Sequence, residues 1–326
     1  MNQCRICGNI AGNKQFTARE MMMGTRHEFP YIECGACGCL QIEKIPTNLS
    51  DYYPATYYSL TDLRSNKYLT SKDNRPKALL KQWRSHFAMT GKGVIGRFVF
   101  QLSNPNFSNW DWFRGARVTP KSKILDVGCG AGGLLLGLQR EGFTNLTGID
   151  PNIEADVVVG DVRILKRDIK DLDEEFDFIM FHHSFEHMKD PHSVLRATSR
   201  LLRRDHHVLI RIPVSSSYAW RHYGSNWVQL DAPRHLFLHT VDSMRICVEK
   251  AGLTVEEIRY DSGSFQFYGS EQYQRDIPLD DERSYWRRGI ENSIFSLQQI
   301  EGFKKRAEEL NQSQDGDSAC FLIHKS

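Results

Sequence analysis

Lys123–Gly133 reads KILDVGCGAGG, and this stretch decides the fold. A short apolar run ends in Asp126, and glycines follow at 128, 130, 132 and 133. A strand that runs into glycines and then into a helix brings backbone against a ligand where a side chain would block it. The order differs from the dinucleotide pattern G-x-G-x-x-G, because an acid precedes the glycines. LLLGLQREG has helical spacing and stops at Gly142. Gly148-Ile149-Asp150 then closes a second strand, 20 residues past Gly130. An ionised carboxylate there can accept hydrogen bonds from two vicinal hydroxyls.

The alternation continues outward. FDFIMF (176–181) reads as a strand, and PHSVLRATSRLLRR (191–204) as a helix with Pro191 at its start. HHVLIRIP (206–213) is a strand, VDSMRICVEKAGL (241–253) a helix ending at a glycine, and LTVEEIRYDS (253–262) a strand. Residues 281–310 look helical, and SACFLIHKS (318–326) looks like a last strand. Repeated strand–helix alternation predicts a doubly wound α/β domain with a mainly parallel sheet.

Upstream the character changes. The chain has 326 residues, 40% hydrophobic and 25% charged, which fits a folded globular protein and excludes a disordered one. No apolar run is long enough for a spanning helix and the N-terminus shows no secretory pattern, so a cytoplasmic location is the expectation. Five of the eight cysteines fall in the first 39 residues. Cys4-x-x-Cys7-Gly8 and Cys34-x-x-Cys37-Gly38 are matching turns, 26 residues apart, that together make a closed Cys4 zinc site. Four protein ligands leave no open position, so the expected role is structural, with Cys39 a bystander. The expected organisation is a zinc-binding head over 1–50, a basic, aromatic-rich linker or lid over 51–118, and a catalytic domain over 119–326 with a helical insertion at about 275–312.

Net charge is only +2, but residues 61–123 carry 13 Lys/Arg against three Asp, a local charge of +10. This stretch has three readings: a solvated helix face, an attractor for an anionic substrate, or a peripheral contact with an anionic membrane. Overall charge is too balanced to announce a nucleic-acid partner.

From about Lys121 to Gly252 the chain resembles a class I S-adenosylmethionine-dependent methyltransferase. Asp126-Val-Gly128-Cys129-Gly130 matches that family's D-x-G-x-G loop, and Asp150 matches its ribose-binding acid. The resemblance implies a Rossmann-like, seven-stranded sheet and S-adenosylmethionine as cofactor. It also implies cofactor contacts from Asp168, Ile169 and His182, with Asp161 a rival to Asp168 for the adenine amino group. The span from Asp150 to Asp168 is short for a helix plus a strand, which predicts a truncated second helix. The Cys pairs extend the likeness to bacterial methyltransferases with a zinc-binding head, among them sugar C-methyltransferases and relatives associated with polysaccharide biosynthesis. The deoxysugar enzymes carry a further C-terminal α/β domain, where this chain has only a helical segment and a strand.

The chemistry is expected just beyond the strand FDFIMF, at His182-His183-Ser184-Phe185-Glu186-His187, since residues past the carboxyl ends of parallel strands face the ligand crevice. His183 or His187 is the expected general base, with Glu186 orienting it. Some quinone-pathway O-methyltransferases resemble this stretch and hold a divalent metal there; His183, Glu186 and His187 would then be ligands. Asp231-Ala-Pro-Arg234-His235-Leu236 supplies a second base candidate, His235. Arg234 either clamps an anionic substrate group or pairs with Asp231 in a buried turn. Tyr57 and Tyr58 either cover the substrate or pack the head on the domain.

The leading expectation is methyl transfer to oxygen or carbon of a small-molecule or saccharide acceptor, such as a sugar nucleotide. The alternative is an RNA methyltransferase that uses the zinc head and the basic stretch to bind RNA.

Overall fold

The computed structural model describes residues 3–53, 75–103 and 110–326. The head forms three strands, β1 (Lys14–Arg19), β2 (Glu28–Glu33) and β3 (Leu40–Ile42). Two helices follow, α1 (Arg75–Thr90) and α2 (Val94–Ser103), then the short α3 (Trp110–Gly115). The decisive stretch is β4 (Ile124–Val127), and α4 (Gly133–Arg140) follows its glycines. After β5 (Leu146–Ile149) come β6 (Val157–Val159), β7 (Val162–Leu165), β8 (Phe176–His182), α5 (Pro191–Leu201) and β9 (Leu202–Pro213). The remainder is α6 (Tyr218–Tyr223), β10 (Phe237–Leu238), α7 (Val241–Lys250), β11 (Thr254–Tyr260), α8 (Phe265–Gln274), α9 (Tyr285–Arg288), α10 (Leu297–Gln312) and β12 (Ser318–Lys325).

The main sheet has the order β11-β12-β9-β8-β4-β5-β7-β6. Strands β9, β8, β4, β5 and β7 are mutually parallel. β12 runs antiparallel to its neighbours β9 and β11. Chain order reverses between β4 and β8, so the crevice opens beyond the carboxyl ends of these two strands. All four residues of β4 are buried, as expected of a central strand covered on both faces. Ile124 joins Phe113, Leu135, Leu138 and Phe178 on one side. Leu125 and Val127 join Ile179, Phe181, Leu195 and Val248 on the other. Each such side chain contributes roughly 1.5–3 kcal/mol by leaving water.

The mostly parallel sheet is the expected one, and one sequence expectation is corrected: the segment after β5 forms a hairpin, not a truncated helix, which adds β6 as an eighth strand among the described residues. Val157-Val-Val pairs antiparallel with Val162–Ile164 across a two-residue Gly160-Asp161 turn. β-branched residues favour the strand, and Gly160, with φ of 60°, supplies the turn.

The head is joined to the catalytic sheet's other elements. β10, far downstream, pairs with β3 and completes a four-stranded head sheet in the order β1-β2-β3-β10. Cys4, Tyr31 and Leu40 share a continuous core with Phe185, Leu236 and Met244. Among the described residues no helix is long and apolar enough to cross a membrane. Tyr57 and Tyr58 lie outside the described residues.

Candidate functional site

The glycine loop is held against the end of β5. Gly128 and Cys129 both donate N–H to the Ile149 carbonyl. Gly128 has φ of 76°, and a Cβ there would stand 2.5 Å from Cβ of Ser184. Ser184 in turn donates its hydroxyl to the Val127 carbonyl. The loop after β4 and the loop after β8 therefore touch at a point where only glycine fits.

Two acids line this loop. Asp150 accepts from the Gly130 N–H at 3.0 Å through Oδ2 and from the Asn152 N–H at 2.8 Å through Oδ1. Each oxygen keeps a second lone pair for a hydroxyl donor. Asp126 is buried beside it; burial, then the charge of Asp150, push its carboxyl up to about 7. A pair of buried acids in a glycine cradle suits a ligand that brings hydroxyl donors and positive charge. S-Adenosylmethionine has both, in its ribose diol and its ammonium and sulfonium groups, so these residues fit it.

The topology separates the two adenine candidates. Asp168 follows β7 and stands at the crevice end of the sheet, exposed, where its carboxylate accepts from the Lys170 N–H and begins a short turn. Asp161 precedes β7, at the opposite end. Ile169 is buried in the core beneath Asp168. His182 ends β8 with its ring edge-on to Trp112, and burial, then the neighbouring His183, push its imidazole down to about 3, so it is neutral.

Glu186 is the centre of the second cluster. It is fully buried, and among the described residues neither of its carboxylate oxygens has a hydrogen-bond partner. Burial alone raises a carboxyl, but His183, His187 and His235 outweigh it and hold Glu186 down at about 2. Its Oε1 lies 3.6 Å from His183 Nδ1 and 3.9 Å from His235 Nε2. One ring nitrogen each of His187 and His235 and a carboxylate oxygen of Glu186 lie within 4.8 Å of one another.

The tautomers are fixed by backbone. His187 Nδ1 donates to the Arg234 carbonyl at 2.8 Å, and His235 Nδ1 donates to the Gln229 carbonyl at 2.7 Å. Both rings then carry their unprotonated lone pair on Nε2. Burial, then the neighbouring His235, lower the pKa of His187 and keep it neutral. His183 differs. Its Nε2 accepts from the Arg211 guanidinium, which is itself paired with Asp261, so its lone pair is occupied. This contact sets His183 apart from His187 and His235 as a candidate base. Its φ of 52° turns the chain sharply after β8.

Arg234 is a further correction. It is fully buried, and its guanidinium grips both oxygens of Asp231, donates to Glu20 Oε1 at 2.9 Å and donates to the Tyr52 carbonyl at 3.1 Å. Four of its five N–H groups are engaged and the side chain is fully buried, so the structure places Arg234 in a buried turn with Asp231. Sequence reasoning missed two neighbours of the cluster, Arg211 and Tyr53. The Tyr53 hydroxyl lies 3.2 Å from His187 Nδ1. The tyrosine-rich segment beginning at Asp51 was its only signal.

Cys4, Cys7, Cys34 and Cys37 converge in the head. Sγ of Cys4 lies 3.7 Å from that of Cys37, and Sγ of Cys7 lies 3.6 Å from that of Cys34. Tetrahedral coordination at a Zn–S bond of about 2.3 Å places sulfurs about 3.8 Å apart, far longer than a disulfide. The two turns are equivalent, with Gly8 N–H donating to the Cys4 carbonyl and Gly38 N–H to the Cys34 carbonyl, both at 2.9 Å. The donor set and spacing fit zinc, and Cys39 stays outside it.

Residues 113–258 match the family model of a methyltransferase domain. Over 178 residues the chain is 28% identical to the ubiquinone biosynthesis O-methyltransferase of Acinetobacter baumannii (strain AYE), covering 48% of this chain and 73% of that protein. A namesake from Alkalilimnicola ehrlichii is 35% identical over 99 residues, 27% of this chain and 40% of that one. Among solved structures, the S-adenosylmethionine-dependent methyltransferase from Mesorhizobium loti superposes with a TM-score of 0.42 at 14% identity, covering 68% of this chain and 99% of that one. The mycolic acid cyclopropane synthase CmaA1, complexed with SAH and CTAB, gives 0.45 at 17% identity, covering 78% and 100%. Taken with the strand order and the acid-glycine loop, the family match identifies residues 113–258 as a class I S-adenosylmethionine-dependent methyltransferase domain.

Proposed function

We propose that the protein methylates a hydroxyl oxygen of a small-molecule or saccharide acceptor, with His187 and His235 as the proton acceptors and Glu186 as their charged support. The observation that carries this reading is the pair of Nδ1–H donations to backbone carbonyls, which leave both Nε2 nitrogens unprotonated, that of His235 3.9 Å from the buried Glu186 carboxylate. The O-methyltransferase names of the curated relatives favour oxygen over carbon or nitrogen. The same names weigh against RNA as acceptor.

The cofactor supplies a methyl group already activated on a sulfonium. The chain's task is to hold the acceptor and take its proton. In this reading Asp150 and Asp168 bind the ribose and adenine, and Asp126, Gly128, Cys129 and Gly130 form the wall beside them. The hydroxyl proton passes to an imidazole Nε2, and Glu186 stabilises the imidazolium that results. Cys4, Cys7, Cys34 and Cys37 would hold the zinc that stiffens the head, which carries Glu20 and Tyr52 against Arg234.

A second reading rests on the same cluster. Two imidazoles and a carboxylate are also the donor set of a divalent-cation site, with both Nδ1 groups fixed by hydrogen bonds as metal-ligating histidines usually are. Its residues differ from the expected set in having His235 in place of His183.

The test is S-adenosylhomocysteine formation against a panel of sugar nucleotides and phenols. Turnover lost in Glu186→Gln and His235→Ala, with cofactor affinity kept, supports the site. Undiminished turnover in both removes it. Activity abolished by a chelator that leaves the head zinc in place, and restored by a divalent cation, selects the second reading.

A further inference from the structure

Helices α1 and α2 pack on each other and leave an apolar face in solvent. α2 meets α1 through Gly96, where an added Cβ would lie 2.2 Å from the Trp83 carbonyl oxygen. The Phe87 and Phe100 rings, 5.7 Å apart, lie on the same contact. The outer side of α2 holds Val94, Ile95, Phe98 and Leu102, all exposed; Val94 reaches 86% and Leu102 72%. At about 100° per residue these four fall in one arc of about 100°. An amphipathic helix of a globular protein turns such an arc toward the core; here it turns outward. Leu79, Leu80 and Trp83 of α1 are also exposed apolar residues.

The two helices themselves carry charge of one sign. Residues 75–103 contain Arg75, Lys77, Lys81, Arg84, Lys92 and Arg97, and no Asp or Glu. Arg84 pairs with Glu141 from α4. Arg97 flanks the apolar arc of α2, and Lys92 precedes its first turn.

We propose that this face docks on an anionic lipid bilayer, with Val94, Ile95, Phe98 and Leu102 in the headgroup–acyl boundary and Lys92 and Arg97 against lipid phosphates. An apolar stripe beside basic side chains is the composition of a helix that lies in a membrane interface. Charge selects the occupant. A second copy would set like charge against like charge, which opposes association. Nucleic acid would meet the basic groups but leave the aliphatic stripe without a partner.

The experiment is co-sedimentation of the full, zinc-loaded chain with vesicles of phosphatidylglycerol and phosphatidylcholine, beside vesicles of phosphatidylcholine alone, at low and high salt. Two variants accompany it, Phe98→Glu with Leu102→Glu, and Lys92→Glu with Arg97→Glu. The expected result is salt-sensitive binding to the anionic vesicles. Either variant lowers it by about tenfold or more, since each basic group near such a surface is worth about fivefold in partition. Thermal melting of both variants stays at the wild-type value, because the replaced side chains are exposed. No binding to anionic vesicles, equal binding to neutral ones, or binding unchanged in the first variant overturns the proposal. So does a dimer in light scattering that the first variant converts to monomer, which would make the face a contact between copies.

Discussion

Arg234 and Glu20 form a fully buried ion pair, 2.9 Å from Nη2 to Oε1, between residues 214 positions apart. It clasps the head to the loop that carries His235. Glu20 is further committed, accepting from the Met23 and Thr25 N–H groups. Removing one partner leaves a buried charge uncompensated, which costs roughly 3–5 kcal/mol. Arg234→Met is therefore expected to lower the denaturation midpoint sharply. It should also weaken catalysis, because the Arg234 carbonyl fixes His187. Chemical denaturation checks the first outcome, and a normal midpoint would show that the pair contributes little.

The head with its four-cysteine cluster should report on the active-site side of the molecule. Thr240 donates its hydroxyl to the Cys37 carbonyl, and β3 pairs with β10 directly after His235. One zinc per chain is expected by elemental analysis. Its removal, or Cys34→Ser with Cys37→Ser, should raise amide exchange in Phe237–Leu238 and reduce turnover. Exchange rising only within the first 42 residues would show the head to be an independent appendage.

Asp126 predicts a proton linkage. Its carboxyl sits at about 7 in the protein and near 3.8 when exposed. The folded state therefore binds the proton more tightly than the unfolded one. The stability this gives is full below pH 3.8 and is lost as pH rises through about 7, by up to about 4 kcal/mol. A cationic ligand in the loop lowers the pKa, so S-adenosylmethionine should release protons on binding near neutral pH. Calorimetry in buffers of different ionisation enthalpy measures the number. Asp126→Asn should abolish the release and stabilise the ligand-free protein at pH 8; an unchanged proton count would refute the linkage.

What the sequence disclosed follows the distance over which each feature is determined. The strand Ile124–Val127, its glycines and Asp150 are local features, and the structure places them as read. The Gly160-Asp161 turn between valines was equally local, but the expected family pattern of a helix overrode it. Arg234 was ambiguous because its decisive partner, Glu20, lies in the head. The contact of His183 with Arg211, on the neighbouring strand β9, is likewise set by packing across the sheet. No spacing rule links such residues; only the packed sheet brings them together.

The base assignment makes the most discriminating prediction. A positioned general base contributes about 10²–10⁴ to the rate. His187 and His235 lie with ring centroids 4.8 Å apart, so either can reach the same hydroxyl. Each single alanine variant should lose part of kcat, and the double variant should lose the whole contribution with little change in cofactor affinity. His183→Ala should act differently, since His183 Nε2 is tied to Arg211 while its Nδ1 faces Glu186 Oε1 at 3.6 Å. It should disturb the loop after β8 and raise KM more than it lowers kcat. Added imidazole can replace a missing proton acceptor, so partial rescue of His235→Ala by imidazole supports the base. Rescue of wild-type activity by a divalent cation after chelation, with no imidazole effect on the variant, makes the cluster a cation site instead.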